Sequence, residues 1–197
     1  MSLFSHLEFR YAVHQLGDMP PDRGAEVAFA GRSNAGKSTA INAIANRRKL
    51  AFVSKTPGRT QAINFFDMGN QCSLVDLPGY GYAKVPRTEQ ARWDELIGTY
   101  ISNRNSLILL IIIVDIRRGL TTLDQQMLAW IAPTNKPVHV LLTKADKLTR
   151  QEAAAVLQRT ESELARHPGE ATAQIFSGTT KTGVKQAQAA IARRLKQ

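Results

Sequence analysis

Cysteine is almost missing from this 197-residue chain: Cys72 is the only one. No internal disulfide and no multi-cysteine metal site can form, which fits a reducing compartment. Long hydrophobic runs are missing too, since the longest, Leu107 to Val114, has eight residues. A membrane-spanning helix needs about twenty. At the N-terminus Glu8 and Arg10 interrupt the apolar residues of MSLFSHLEFRYAVHQLGDMP before a secretory core builds up. These absences predict a soluble, cytoplasmic protein without a membrane partner. Negative charge is scarce as well: 16 acidic residues face 26 basic ones, a formal net charge of +10. The basic residues are spread through the chain rather than gathered in a tail, and the excess points to a polyanionic partner. Repeats and low-complexity tracts are absent. What remains is an ordinary globular composition, 43% hydrophobic, of a length that suits one domain.

From about Glu26 onward short apolar runs alternate with helix-like stretches, the mark of an α/β domain with a largely parallel sheet. Strands are expected near 26–30, 62–67, 72–76, 107–115, 137–143 and 173–177, six in all. Met68-Gly69-Asn70-Gln71 joins the second and third as a hairpin, so that pair should be antiparallel. LILLIIIV is apolar at every position, as a strand covered on both faces must be, and should be the centre of the sheet. Thr149 and Glu152 form a capping box for a helix running to His167. Trp93, Leu96, Tyr100 and Ile101 share a helical stripe read as core, as do Val184, Ala187, Ile191 and Leu195. Residues 1–22 are expected to form an N-terminal extension ahead of a domain spanning 23–197, with Pro20 and Pro21 discouraging helix at its end.

Gly31-Arg32-Ser33-Asn34-Ala35-Gly36-Lys37-Ser38 fits G-x-x-x-x-G-K-S between a strand and a helix, the setting that this motif requires. Its glycines let successive amides turn toward phosphate oxygens, and the following helix, which continues through Thr39, adds its positive end. Lys37 should reach the β- and γ-phosphates, and the Ser38 hydroxyl should ligate magnesium. Asp76-Leu77-Pro78-Gly79 places a carboxylate at a strand end to hold the same magnesium through water, and a Gly79 amide to sense the γ-phosphate. In Thr143-Lys144-Ala145-Asp146 the carboxylate can accept from guanine N1–H and the exocyclic amine, a pattern adenine cannot offer. The Lys144 stem can lie over the base. That preference argues against the rival reading, an ATP-dependent small-molecule kinase built on the same phosphate loop. Ser177-Gly178 could aim a backbone amide at guanine O6, although the same residues would serve a simple turn. Thr56-Pro57-Gly58-Arg59-Thr60-Gln61 lacks apolar periodicity and reads as a loop whose Thr60 completes the magnesium shell and closes over the γ-phosphate.

The phosphate loop, Asp76–Gly79, Thr143–Asp146 and Ser177-Gly178, in this order, resemble the translation-factor-related class of P-loop GTPases. Within it KTPGRTQAINFF, DLPGYGYA and TKADKL are similar to the EngB (YihA/YsxC) family of bacterial ribosome-assembly GTPases. The resemblance implies a three-layer Ras-like P-loop NTPase fold, with helices on both faces of a six-stranded, mostly parallel sheet. It further implies GTP and GDP binding, GTP hydrolysis and a role in maturing the large ribosomal subunit, with consequences for cell division and septation. The expected partner is a large-subunit precursor, not DNA, and the expected state is a monomer. Arg47, Arg48, Lys49, Lys84 and Arg87 lie on or beside the switch loops, where they could touch rRNA.

Two departures from the wider GTPase pattern bear on mechanism. Thr143 replaces the usual Asn, removing an amide that would brace the phosphate loop. Tyr80 stands where many small GTPases carry the glutamine that orients the attacking water, which leaves Lys37, Thr60 and Gly79 as the catalytic set. Slow intrinsic hydrolysis follows, on the order of 10⁻⁴ to 10⁻³ per second. Asn34 resembles the asparagine that binds potassium in several related GTPases, where the ion offsets developing charge.

Overall fold

The structure, a computed structural model, describes Phe4 and residues 7–47, 50–51, 62–80 and 87–196. Among the described residues seven strands form one sheet: β1 (Glu8–Val13), β2 (Ala25–Gly31), β3 (Ile63–Gly69), β4 (Cys72–Asp76), β5 (Leu107–Asp115), β6 (Val138–Thr143) and β7 (Ala171–Ile175), in the order β1-β3-β4-β2-β5-β6-β7. The helices are α1 (Lys37–Ile44), α2 (Arg87–Asn103), α3 (Thr122–Ile131), α4 (Arg150–Leu164) and α5 (Val184–Arg194). Pairing is parallel from β4 through β2, β5, β6 and β7, whereas β3 is antiparallel to both β1 and β4. The hairpin at 68–71 is therefore present, and every parallel strand ends at the same edge of the sheet.

Strand β5 explains its own composition. Leu110, Ile112 and Val114 pack on one face with Leu96, Ile97 and Tyr100 of α2, Met127 and Ile131 of α3 and Leu164 of α4. Leu109, Ile111 and Ile113 pack on the other with Ile41 and Ile44 of α1 and Ala187 and Ile191 of α5. Alternate side chains of one strand thus feed two cores, and no position is left for a polar residue until Asp115. The result is the expected three-layer α/β fold. The capping box of α4 is formed as read, Glu152 Oε2 accepting from the Thr149 N–H at 2.8 Å. Its helix ends at Leu164, a turn short of His167.

The strand count departs from expectation. A seventh strand, β1, lies inside the N-terminal segment and pairs with β3 at the sheet edge. Its Tyr11 ring meets Phe65 at 5.1 Å and Phe9 meets Phe66 edge-on at 5.8 Å. This addition makes β2, not β5, the middle strand. Pro20 and Asp22, at the end of the segment, are tied down at the pole opposite the phosphate loop. Arg104, at the end of α2, donates to the Pro20 carbonyl at 2.8 Å and to buried Glu26 at 2.6 Å, and Asp22 accepts from the Ser106 amide at 2.8 Å. Tyr100 completes the cluster, donating to Glu26 Oε2 at 2.8 Å. Among the described residues no helix is long and apolar enough to cross a membrane.

Candidate nucleotide site

The C-terminal edge of the parallel strands is where open α/β sheets bind ligands, and the sequence motifs converge there. Gly31 ends β2, Asp76 ends β4, Thr143 ends β6, and Ser177 follows β7. From Gly31 the chain turns through Arg32, Ser33, Asn34 and Ala35 into α1. Gly36 is the N-cap at φ 100°, a left-handed conformation that glycine adopts without strain, and it carries no side chain to occupy the first-turn amides. Lys37 opens the helix, and its ammonium donates to Asp76 Oδ1, so both reacting-end residues are held at one point. Arg32 Nε is buried with no hydrogen-bond partner among the described residues. A loop with an orphaned donor and an uncapped helix N-terminus fits a phosphate.

Asp76 and Ser38 supply hard oxygen donors beside that loop. No group of three or more His, Cys, Asp or Glu among the described residues could hold a metal by itself. That sparse donor set fits magnesium, which takes one or two protein groups and completes its shell with phosphate oxygens and water. Thr60 and Gly58 lie outside the described residues, as do Thr56, Arg48, Lys49 and Lys84 and the side chains of Arg87 and Trp93.

The loop after β6 is locked to the phosphate loop. The Thr143 hydroxyl lies 2.5 Å from the Ala35 carbonyl oxygen and 3.0 Å from that of Val114, sharing its one proton between them. The bracing contact expected to be lost with the usual Asn is therefore present, made by a hydroxyl on a shorter side chain. Lys144, left-handed at φ 61°, donates through Nζ to the Asn34 carbonyl at 2.6 Å. Asn34 itself is exposed and left-handed at φ 64°, a conformation that Asn tolerates better than most residues.

The third and fourth motifs also meet. Ser177 donates to Asp146 Oδ1 at 2.6 Å, and this bond leads the causes that hold the Asp146 carboxyl below its usual range, charged and ready to accept. Gly178 sits so close to α1 that an added Cβ would stand 2.8 Å from Thr39 Cγ2. The turn after β7 thus packs on the phosphate-loop helix only because the residue is glycine.

On the other side, Gly79 is buried and Tyr80 runs beside the phosphate loop. Its carbonyl accepts from the Ser33 amide at 3.0 Å and its N–H donates to Gly31 at 3.3 Å. The Tyr80 hydroxyl points inward, donating to buried Asp124 at 2.7 Å. Burial and the Asp124 charge push that phenol well above its ordinary range. Sequence reasoning missed Asp124, which also caps α3 through Thr121, and Asp115, which binds Lys144 and Arg117. A signal for Asp115 was there: a lone carboxylate directly after an apolar run marks the end of a buried strand.

A model for 50S ribosome-binding GTPases matches residues 26–144. A probable GTP-binding protein EngB of Methylobacillus flagellatus is 51% identical over 193 residues, covering 98% of this chain and 93% of the relative. The chain belongs to the EngB family of GTP-binding proteins. An EngB relative in Azoarcus sp. is likewise 51% identical, with 98% of this chain and 92% of its own length covered. Among solved structures, a probable EngB matches with a TM-score of 0.67 at 25% identity, over 87% of this chain and 99% of that one. Era in complex with MgGDPNP and a fragment of 16S ribosomal RNA matches with a TM-score of 0.67 at 21% identity, over 87% of this chain and 57% of that one, a likeness of fold. As a member of the EngB family the chain is a GTP-binding GTPase.

Proposed function

We propose that this EngB protein is a magnesium-dependent guanine-nucleotide switch with slow intrinsic hydrolysis, acting as a cytoplasmic monomer in assembly of the large ribosomal subunit and needed for normal division and septation. Residues 23–197 form the nucleotide-binding unit and 1–22 its extension. The observation that carries the reading is the joining of the Lys144–Asp146 loop to the phosphate loop through Thr143 and Lys144. It supports a reading in which the Asp146 carboxylate reads guanine beside a phosphate cradle at the same edge of the sheet.

In this reading the amides from Ser33 to Ser38 bind the α- and β-phosphates, and Lys37 exchanges Asp76 for the β- and γ-phosphate oxygens. Asp76, thereby released, would hold a magnesium-bound water, Ser38 and Thr60 would ligate the ion, and Gly58 would lie against the nucleotide. Magnesium, once bound, neutralises charge on the β- and γ-oxygens. Gly79 presents its amide to the γ-phosphate, next to Tyr80, which is anchored to both Ser33 and Asp124. Asp146 reads the guanine edge, and Ser177 and Gly178 close the O6 side. Tyr80 spends its hydroxyl in the core and positions no water, hence the slow chemistry; a potassium ion at Asn34 would supply the missing positive charge. Support for the ribosomal partner comes from the family description and from the +10 charge, which suits an RNA-rich surface.

The test is co-sedimentation with large-subunit precursors under GTP, GDP and no nucleotide, paired with GTP turnover in potassium and in sodium. Retention under GTP alone and faster turnover in potassium agree with the reading. Nucleotide-independent retention rejects the switch, and equal turnover rejects the potassium site.

A further inference from the structure

A buried carboxylate outside every motif holds the Lys144 side chain. Asp115 ends β5 at the same edge as Gly31, Asp76 and Thr143, and is 7% exposed. Lys144 Nζ lies 2.9 Å from its Oδ2. Arg117 donates to it through Nη2 at 2.6 Å, Nε at 2.9 Å and its backbone N–H at 3.1 Å. The same ammonium reaches the Asn34 carbonyl of the phosphate loop at 2.6 Å.

A free lysine carries four rotatable bonds and a strongly hydrated head. Here the backbone end lies in the left-handed region and the head is pinned between a carboxylate and a carbonyl, so the stem is held at both ends. Burial raises the Asp115 carboxyl, and the bonds from Arg117 and Lys144 outweigh it, holding the group well below the usual carboxylate range and so charged. Arg117 and Lys144 remain partly exposed at the site, whereas the carboxylate that joins them does not.

We infer that Asp115 is a positioning residue for the nucleotide base: it fixes the Lys144 stem as one wall of the guanine pocket and couples that wall to the phosphate loop. The inference rests on the Lys144–Asp146 loop being the base site. In Asp115→Asn the amide oxygen can still accept, but it carries no charge and cannot hold two cations. Loss of one charge-assisted contact corresponds to a fall in nucleotide affinity on the order of tenfold. GDP and GTP lose equally, because they share the base.

The experiment is a double-mutant cycle on equilibrium GDP binding, with the full chain, Asp115→Asn, Lys144→Ala and the double variant, each checked for folding by its thermal midpoint. Each single variant should lose affinity, and the double variant should bind no more weakly than Lys144→Ala alone, since nothing is left to position. Asp115→Asn should weaken GDP binding while leaving inorganic pyrophosphate, which occupies only the phosphate loop, at its parental affinity; general loosening of the phosphate loop would weaken both. Losses that multiply in the double variant overturn the inference, as does parental GDP binding by Asp115→Asn. If Asp115→Asn does not fold, Asp115→Ser carries the same cycle. Parental GDP binding by Lys144→Ala rejects the base-site reading itself, and this inference with it.

Discussion

Replacing Thr143 by valine isolates the brace between the base loop and the phosphate loop. The residue is 3% exposed, and valine keeps its branched shape while putting a methyl where the hydroxyl meets the Ala35 and Val114 carbonyls at 2.5 and 3.0 Å. Losing the bond costs about 0.5–1.5 kcal/mol, and a buried carbonyl left without a donor raises the total to about 1–3 kcal/mol. For a chain of this length each kcal/mol moves the melting midpoint by about 2–4 °C, so a fall of about 4–8 °C is expected for a loss near 2 kcal/mol. Part of the loss also appears as weaker nucleotide binding, because a phosphate loop without its brace must be re-formed by the ligand. Scanning calorimetry of the nucleotide-free protein followed by GDP titration measures both. Thr143→Ser, which keeps the hydroxyl, is the control and should stay closer to the parent in each. The reasoning is refuted if the valine variant melts no lower than the serine variant and binds GDP as tightly as the parent.

Three further outcomes follow from named contacts. Tyr80→Phe strips the hydroxyl from a buried bond to Asp124 and should cost about 1–3 kcal/mol in denaturant unfolding, while single-turnover GTP hydrolysis stays at the parental rate; a rate that falls with the hydroxyl would put Tyr80 in the chemistry. Glu26→Gln breaks a buried pair with Arg104 and should cost about 3–5 kcal/mol, whereas Arg10→Ala, at an exposed pair with Asp67, should cost under about 1 kcal/mol; equal costs would contradict the burial argument. Burial holds the His139 imidazole below its ordinary value, so the folded state prefers it neutral and the unfolded state binds the proton first. Its contribution is therefore full above about pH 6.5 and is lost as pH falls through the folded value, and His139→Gln should flatten unfolding free energy over that acid range, an unchanged slope counting against it.

The residues differ in how openly the sequence displays their roles. The phosphate loop, the capping box and β5 declare themselves because each obeys a local rule: fixed spacing, a three-residue reciprocal bond, or two-faced burial. Strand β1 does not. Its outer edge has no strand partner among the described residues, Phe9 stays 58% exposed, and a register shift between Phe9 and Tyr11 breaks the alternation that periodicity reading depends on. The long-range ties are equally silent. Thr143 and Ala35 are 108 residues apart, and Arg104 and Pro20 are 84 apart, so no window contains both partners. For Thr143 the substitution itself was visible, but only the fold shows that a hydroxyl can reach where an amide was expected.

The central claim, that Asp146 selects guanine beside a phosphate loop, is tested most directly by exchanging the base preference. Equilibrium binding of GDP, XDP and ADP with magnesium should show GDP preferred by the parent and XDP preferred by Asp146→Asn, with ADP weak for both. ADP binding that matches GDP in the parent, or an Asp146→Asn protein that still prefers GDP, would contradict the account.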